Sequence, residues 1–307
     1  MLMTTNLSFL GHVLYHRLAR QDTRCPYCNG SNTSSIGRKH LVLQLRKCAG
    51  CGLMFRWPKD TAGFNQFFYQ AQYREAAVTE LPDEVSLKVM KESIFRGTER
   101  DITDKIAILK RLVSGGRVMD YGCSWGYGTF QLVAAGYEAI RFEISQPRAT
   151  FGRTRLGVEI LSSEAVLDGL AGSFDAVYAS HVLEHLPAPA AVFDRIASLL
   201  KPNGWLLGFV PNCGGDDARR LGVNWGPMCC GKHPLALDAE FLDRALTRHG
   251  FQVAAFSNPY NSDIIREMRE SSRRVRNLRG EELMICARRI TGQNHAAVSA
   301  DSPSVSG

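Results

Sequence analysis

No stretch of this chain approaches the ~20 consecutive apolar residues that a bilayer crossing requires, so no transmembrane helix is expected. The first residues show no basic n-region followed by a small-residue cleavage site, and no export signal is read there. Leu7, Leu10, Leu14 and Leu18 do fall at helical spacing, interrupted by His12, His16 and Arg17. Residues 1–20 are therefore expected to form an amphipathic helix packed on the protein body or at a dimer contact, with membrane-surface attachment the weaker alternative. No internal repeat is evident. Charged residues are sparse, at 22%, and their balance is basic, at +7. That excess permits an acidic partner without establishing one, because it is spread thinly apart from a run at 266–279. The run is read first as a solvated helix face.

Cysteine is the one reactive residue type present in quantity. Nine is an odd number, and without an export signal the thiols point to a reducing, cytoplasmic compartment and to metal instead of disulfides. Four of them form two C-x-x-C pairs, Cys25/Cys28 and Cys48/Cys51, with 19 residues between the pairs. Two-residue spacing lets both thiolates of a pair reach one ion from a tight turn, and two such turns complete a closed tetrahedral zinc site. With all four corners filled by sulfur no position is left for a catalytic water, so the expected role is structural. The alternation in residues 39–47 and the apolar 53–55 read as ribbon strands, which places a zinc ribbon at 21–57. A redox use of the two pairs is the alternative. So small a module needs the metal to fold. Cys229 and Cys230 are given no site.

Residues 58–100 read as a connector, first aromatic (Phe64, Phe67, Phe68, Tyr69, Tyr73) and then acidic and helical. From residue 101 the pattern becomes regular. Helices are expected at 102–112, 129–135, 147–155, 190–200 and 238–249. Strands are expected at 118 onward and at 137–142, 158–161, 173–180, 205–210, 251–256 and 283–287. Strands alternating with helices imply a doubly wound α/β fold with ligand at the carboxyl ends of the strands. The polar tail 291–307 is expected to be disordered.

The most informative segment is residues 117–128. A short apolar run ends at Asp120, and a turn spaced by Gly122 and Gly126 then opens a helix, bringing backbone N–H groups against a ligand. About 20 residues on, Glu143 ends the next apolar run, where a carboxylate can accept hydrogen bonds from a ribose diol.

With Asp120-Tyr121-Gly122-Cys123, Glu143, Phe174-Asp175-Ala176-Val177 leading into His181-Val182-Leu183-Glu184-His185-Leu186, and Leu200-Lys201-Pro202-Asn203-Gly204 leading into Val210-Pro211-Asn212, residues 101–290 resemble class I S-adenosylmethionine-dependent methyltransferases. The resemblance implies a mostly parallel, seven-stranded Rossmann-like sheet and S-adenosyl-L-methionine as cofactor. It places Asp120, Gly122, Cys123, Ser124 and Gly126 along the methionine part of the cofactor. Glu143 would hold the ribose, with Ser180 and His181 near the reacting methyl. Ser124 stands where the family usually has a glycine, which leaves open a weakened or inactive site.

Methyl transfer from a sulfonium needs alignment and water exclusion, plus a base for acceptors of high pKa. His181 and His233, the latter in an insertion before the 238–249 helix, are the candidate catalytic bases. Packing or capping roles are as good a reading of both. Glu184 and His185 are expected to brace the start of a helix, and Phe68, Tyr69 and Tyr73 to close over the cofactor or simply to fill core. The favoured acceptor is a small molecule or saccharide, methylated on oxygen or carbon. An RNA substrate is the alternative, weakened because the ribbon lacks an aromatic-plus-basic stripe. A third reading is a non-catalytic zinc-stabilised binding protein.

Overall fold

The structure, a computed structural model, describes residues 2–72, 80–260 and 278–290. The predicted tail, Tyr73 and the basic run up to residue 277 lie outside the described residues.

Helix α1 (Leu2–Leu18) precedes a three-stranded antiparallel ribbon: β1 (Thr33–Lys39), β2 (Leu43–Cys48) and β3 (Met54–Trp57). The connector holds α2 (Ala62–Phe67), a wide turn at 68–72 and α3 (Glu84–Glu92). Then follow α4 (Thr103–Leu112), β4 (Arg117–Tyr121), α5 (Tyr127–Ala134), β5 (Glu138–Phe142), α6 (Gln146–Phe151), α7 (Glu164–Asp168), β6 (Phe174–Ser180), α8 (Pro189–Leu199) and β7 (Leu200–Pro211). The chain finishes through α9 (Asp216–Leu221), β8 (Leu235–Ala236), α10 (Ala239–Arg248), β9 (Phe251–Ser257) and β10 (Glu282–Arg289).

The main sheet runs β5-β4-β6-β7-β10-β9. The first four strands are parallel, and β10 is antiparallel to both its neighbours. It has six strands where seven were expected. The missing one is 158–161, which touches the sheet at a single parallel bridge, Phe142 with Leu161. Leu161 alone takes ladder bonds there, its N–H to Arg141 and its carbonyl from Glu143. Val158 and Ile160 instead turn into an apolar cluster with Trp125 and Leu156, so the segment follows packing and not the ladder.

Both faces of the sheet are covered, as its near-continuous apolar strands require. Met119, Val177, Leu206 and Ile285 meet Phe193 and Ile196 of α8 and Leu242 of α10 on one side. Val118, Ala176, Leu207 and Met284 meet Ile106 and Leu109 of α4 and Leu132 of α5 on the other.

Helix α1 is packed on the body, but through a different face from the predicted leucine stripe. Val13 is fully buried with Phe9 beside it, and the His12 ring stacks on Phe64. Leu10, Leu14 and Leu18 stay exposed. Counting leucines missed that Phe9, His12 and Val13 make the contact. Among the described residues no helix is long and apolar enough to cross a membrane.

The ribbon is joined to the larger unit. β8 adds to β3 as a fourth ribbon strand, pairing Met54 with Ala236 and Phe55 with Leu235. Buried Arg56 donates to the Cys230 carbonyl at 2.8 Å and pairs with Asp60.

Candidate active site and thiol cluster

A cavity of about 540 Å³ opens at the carboxyl ends of β4, β5 and β6. Gly122, Ser124, Glu143, Ser180 and His181 form part of its wall. Gly122 holds φ +79°, and a Cβ there would lie 2.5 Å from Val182, so the loop's path needs glycine.

Ser124 occupies a left-handed conformation, φ +53°, which glycine accepts more readily. The serine is held by its neighbours. Its N–H donates to Glu143 Oε2 at 2.9 Å, and its hydroxyl accepts from buried Arg148 at 2.9 Å. The Ser145 N–H binds the other Glu143 oxygen at 2.8 Å. Each carboxylate oxygen thus keeps acceptor capacity for a ligand hydroxyl. Burial pushes Glu143 up to about 7, outweighing those backbone bonds and the charge of Arg148.

Asp120, Cys123 and Gly126 stand behind this wall. Asp120 is buried and accepts from the Thr129 hydroxyl at 2.5 Å, and burial raises it to about 6. The Cys123 Sγ turns back to the Ser124 carbonyl, and burial pushes that thiol well above its ordinary value. Gly126 caps α5 and packs against Val158. These residues shape the loop from within.

At the far side, Ser180 accepts from Lys105 at 3.2 Å. His181, also left-handed at φ +54°, lies 2.7 Å from Glu282, which Lys105 and Tyr260 also contact. Desolvation opposes charge on His181, but Glu184 and Glu282 overcome it and raise the ring to about 9. Desolvation likewise opposes charge on Glu282, yet His181, Lys105 and Tyr260 bring it down to about 2. These carboxylates favour the protonated ring at neutral pH.

His233 reaches the same cavity from the insertion, with Lys232. Desolvation lowers it, but Cys230 and Glu184 raise it above its ordinary value. Burial pushes Cys230 up, and the hydrogen bond from His233 brings it down to about 7. Glu184 and His185, read from sequence as braces, line the cavity in the turn at 183–185. Burial drives His185 down to about 4 despite Glu184. Their chemistry was hidden because a turn that closes a strand carries no periodicity. Tyr69 lies over the same wall: Ser145 donates to its carbonyl, and Gln70 bonds the backbone at 144 and 146.

Away from the cavity, Cys25, Cys28, Cys48 and Cys51 converge, all four sulfurs within 4.8 Å of one another. Cys25 lies 3.5 Å from Cys51 and Cys28 lies 3.6 Å from Cys48. The crowding Cys25 sulfur and burial push the Cys51 thiol up. Four sulfurs so close could hold one metal ion, which would favour their thiolate forms.

Residues 94–255 match the family described as Methyltransferase domain. Over 102 residues the chain is 30% identical to the ubiquinone biosynthesis O-methyltransferase of Burkholderia vietnamiensis, covering 31% of this chain and 44% of that protein. It is 32% identical over 101 residues to the protein of the same name from Xanthomonas axonopodis pv. citri, covering 31% and 42%. The chain thus spans less than half the length of the curated relatives it matches. Phosphoethanolamine N-methyltransferase 2 of Haemonchus contortus, solved with phosphomonomethylethanolamine and S-adenosylhomocysteine, superposes at a TM-score of 0.50 and 16% identity, covering 77% of this chain and 62% of that one. At that identity the likeness is one of fold.

Proposed function

This chain belongs to the Methyltransferase domain family, and from that premise we propose that it is an enzyme moving a methyl group from S-adenosylmethionine to a hydroxyl oxygen of a small molecule, saccharides included. The observation carrying the donor assignment is the pairing of Ser124 N–H with Glu143 across the cavity wall. It leaves a carboxylate facing space of a size suited to a nucleoside-bearing ligand. When bound, S-adenosylmethionine supplies a methyl already activated on a sulfonium.

The chain's own residues then have limited roles. Glu143 takes the ribose hydroxyls, and Gly122 and Ser124 let the loop approach the methionine part. Asp120, Cys123 and Gly126 act one layer back, by holding that loop. Ser180 and His181 face the reacting centre, where a protonated His181 orients the acceptor by donating to it. Tyr69 and the Gln70 contacts keep water out. The O-methyltransferase names of the curated relatives support oxygen as acceptor over carbon. Zinc in the four-cysteine cluster is part of the same reading, with a structural role. The nine free cysteines suit a reducing, cytoplasmic setting.

Isotope-labelled S-adenosylmethionine incubated with separate pools of small phenols, saccharides and RNA tests the assignment. Label in a small-molecule pool is expected. Label in RNA alone would move the acceptor to nucleic acid, and no label in any pool from donor-binding protein would favour a binding role.

A further inference from the structure

Donor binding does not use three of the cavity side chains, Glu184, His185 and His233. One carboxylate oxygen and one nitrogen from each ring lie within 4.8 Å of one another. Glu184 is 2% exposed, and neither of its oxygens has a hydrogen-bond partner among the described residues. His181 and His185 approach Oε1 only to 3.5 and 3.8 Å. The charge of His181 offsets part of the cost of burying this carboxylate, but both oxygens are left with unused acceptor capacity that a bound cation would complete.

The two rings are oriented for that. His185 Nδ1 lies 2.8 Å from the Lys232 carbonyl, and His233 Nδ1 lies 3.0 Å from the Pro227 carbonyl. A carbonyl only accepts, so each Nδ1 carries a hydrogen and Nε2 is the nitrogen each ring can offer a cation in its neutral form, with His233 exchanging its bond to Cys230 for the metal. Histidines that hold metals commonly have this backing, one N–H tied to backbone and the other nitrogen presented. The rings meet nearly at right angles, 81°, with centroids 4.6 Å apart. Glu184 and His185 come from the turn after β6. His233 comes from the insertion, so folding alone brings the three together.

We propose that Glu184, His185 and His233 bind one divalent transition-metal cation at the wall of the cavity. Two imidazoles and one carboxylate suit zinc, cobalt, nickel or iron better than calcium or magnesium. Unlike the four-cysteine cluster, three protein ligands leave coordination positions open. Those positions face the cavity and suit a hydroxyl or carboxylate oxygen of the acceptor. That last role rests on the methyl-transfer reading, whereas the binding of the cation does not.

The test is cobalt(II) binding to full-length protein whose cysteine cluster is already loaded with zinc. After equilibrium dialysis, metals are counted per chain and the visible spectrum is recorded. One cobalt per chain is expected alongside undiminished zinc, without thiolate-to-cobalt charge transfer. Glu184→Gln and His233→Ala should each weaken cobalt binding by roughly tenfold or more. Calorimetric binding of S-adenosylhomocysteine to the same variants checks that they are folded. Zinc-loaded protein that takes up no cobalt overturns the site. So does cobalt entering only as zinc leaves with thiolate absorption, or folded variants that bind cobalt like the parent. Cobalt binding without methyl transfer would leave this site standing and remove only the enzymatic reading.

Discussion

Phe55 of the ribbon and Leu235 of the insertion face one another in antiparallel register, and Leu235 lies two residues past His233. The four-cysteine module is thereby connected to the cavity wall. A metal held by the four cysteines would set the geometry of β3, β3 carries β8, and β8 leads back to His233. Stripping the cysteine-bound metal with a chelator should therefore impair acceptor turnover before it impairs donor binding, whose residues sit on the main sheet. Acceptor KM is expected to rise roughly tenfold or more, the range seen when support around a site is lost, with donor affinity little altered. Equal losses of both would mean that ribbon and sheet fold as one unit.

Ser124 offers a test of how the loop tolerates serine. Ser124→Ala keeps the left-handed backbone and removes one partner of buried Arg148, so it should cost about 1–2 kcal/mol. Ser124→Gly loses the same bond but relieves roughly 1 kcal/mol of backbone strain, and should fall close to the parent. Urea melts of the three proteins give the order. An alanine variant as stable as the parent would show that Arg148 does not hold this serine.

Glu143 makes donor binding pH-dependent. In the free protein its carboxyl titrates at about 7, above its ordinary value of 4.5. The charged form is the one that accepts two ribose hydroxyls. Affinity should therefore fall by about tenfold per pH unit below neutrality and level off above it. Calorimetry with S-adenosylhomocysteine between about pH 5.5 and pH 8 measures this. A flat profile would remove the carboxylate from the contact.

The His181–Glu282 pair should shape stability at both extremes. His181 is raised from 6.5 to about 9, so its contribution is full below pH 6.5 and is lost as pH rises through 9. Glu282 is lowered from 4.5 to about 2, so its contribution is present above pH 4.5 and is lost as pH falls through 2. Glu282→Gln should accordingly lower the melting temperature most between those limits, with the gap to the parent narrowing above pH 9 to what the Lys105 and Tyr260 contacts supply. A gap that persists unchanged at high pH would assign the loss to packing instead of charge.

Much of this was legible because it depends on local pattern. The apolar run into Asp120, the Gly122 turn and Glu143 are contiguous features, and the C-x-x-C pairs carry their own spacing. What escaped depends on distant partners. Residues 158–161 have strand composition, but Trp125 draws Val158 and Ile160 out of the ladder. β8 is only two residues long and becomes a strand only because β3 is there to pair with it. Glu184 and His185 gain their meaning from His233, which lies nearly 50 residues further along the chain. The exposed leucines of α1 show the reverse case, a helical stripe whose spacing predicted burial that the packing gave to Phe9, His12 and Val13.

Titrating S-adenosylmethionine into the zinc-loaded protein and its Glu143→Ala variant tests the central claim most directly. The parent should bind one equivalent, and the variant should bind more weakly by about 1.5–3 kcal/mol, one charge-assisted contact, while melting as a folded protein. Failure of the folded parent to bind the donor, or equal affinity in the two proteins, would contradict it.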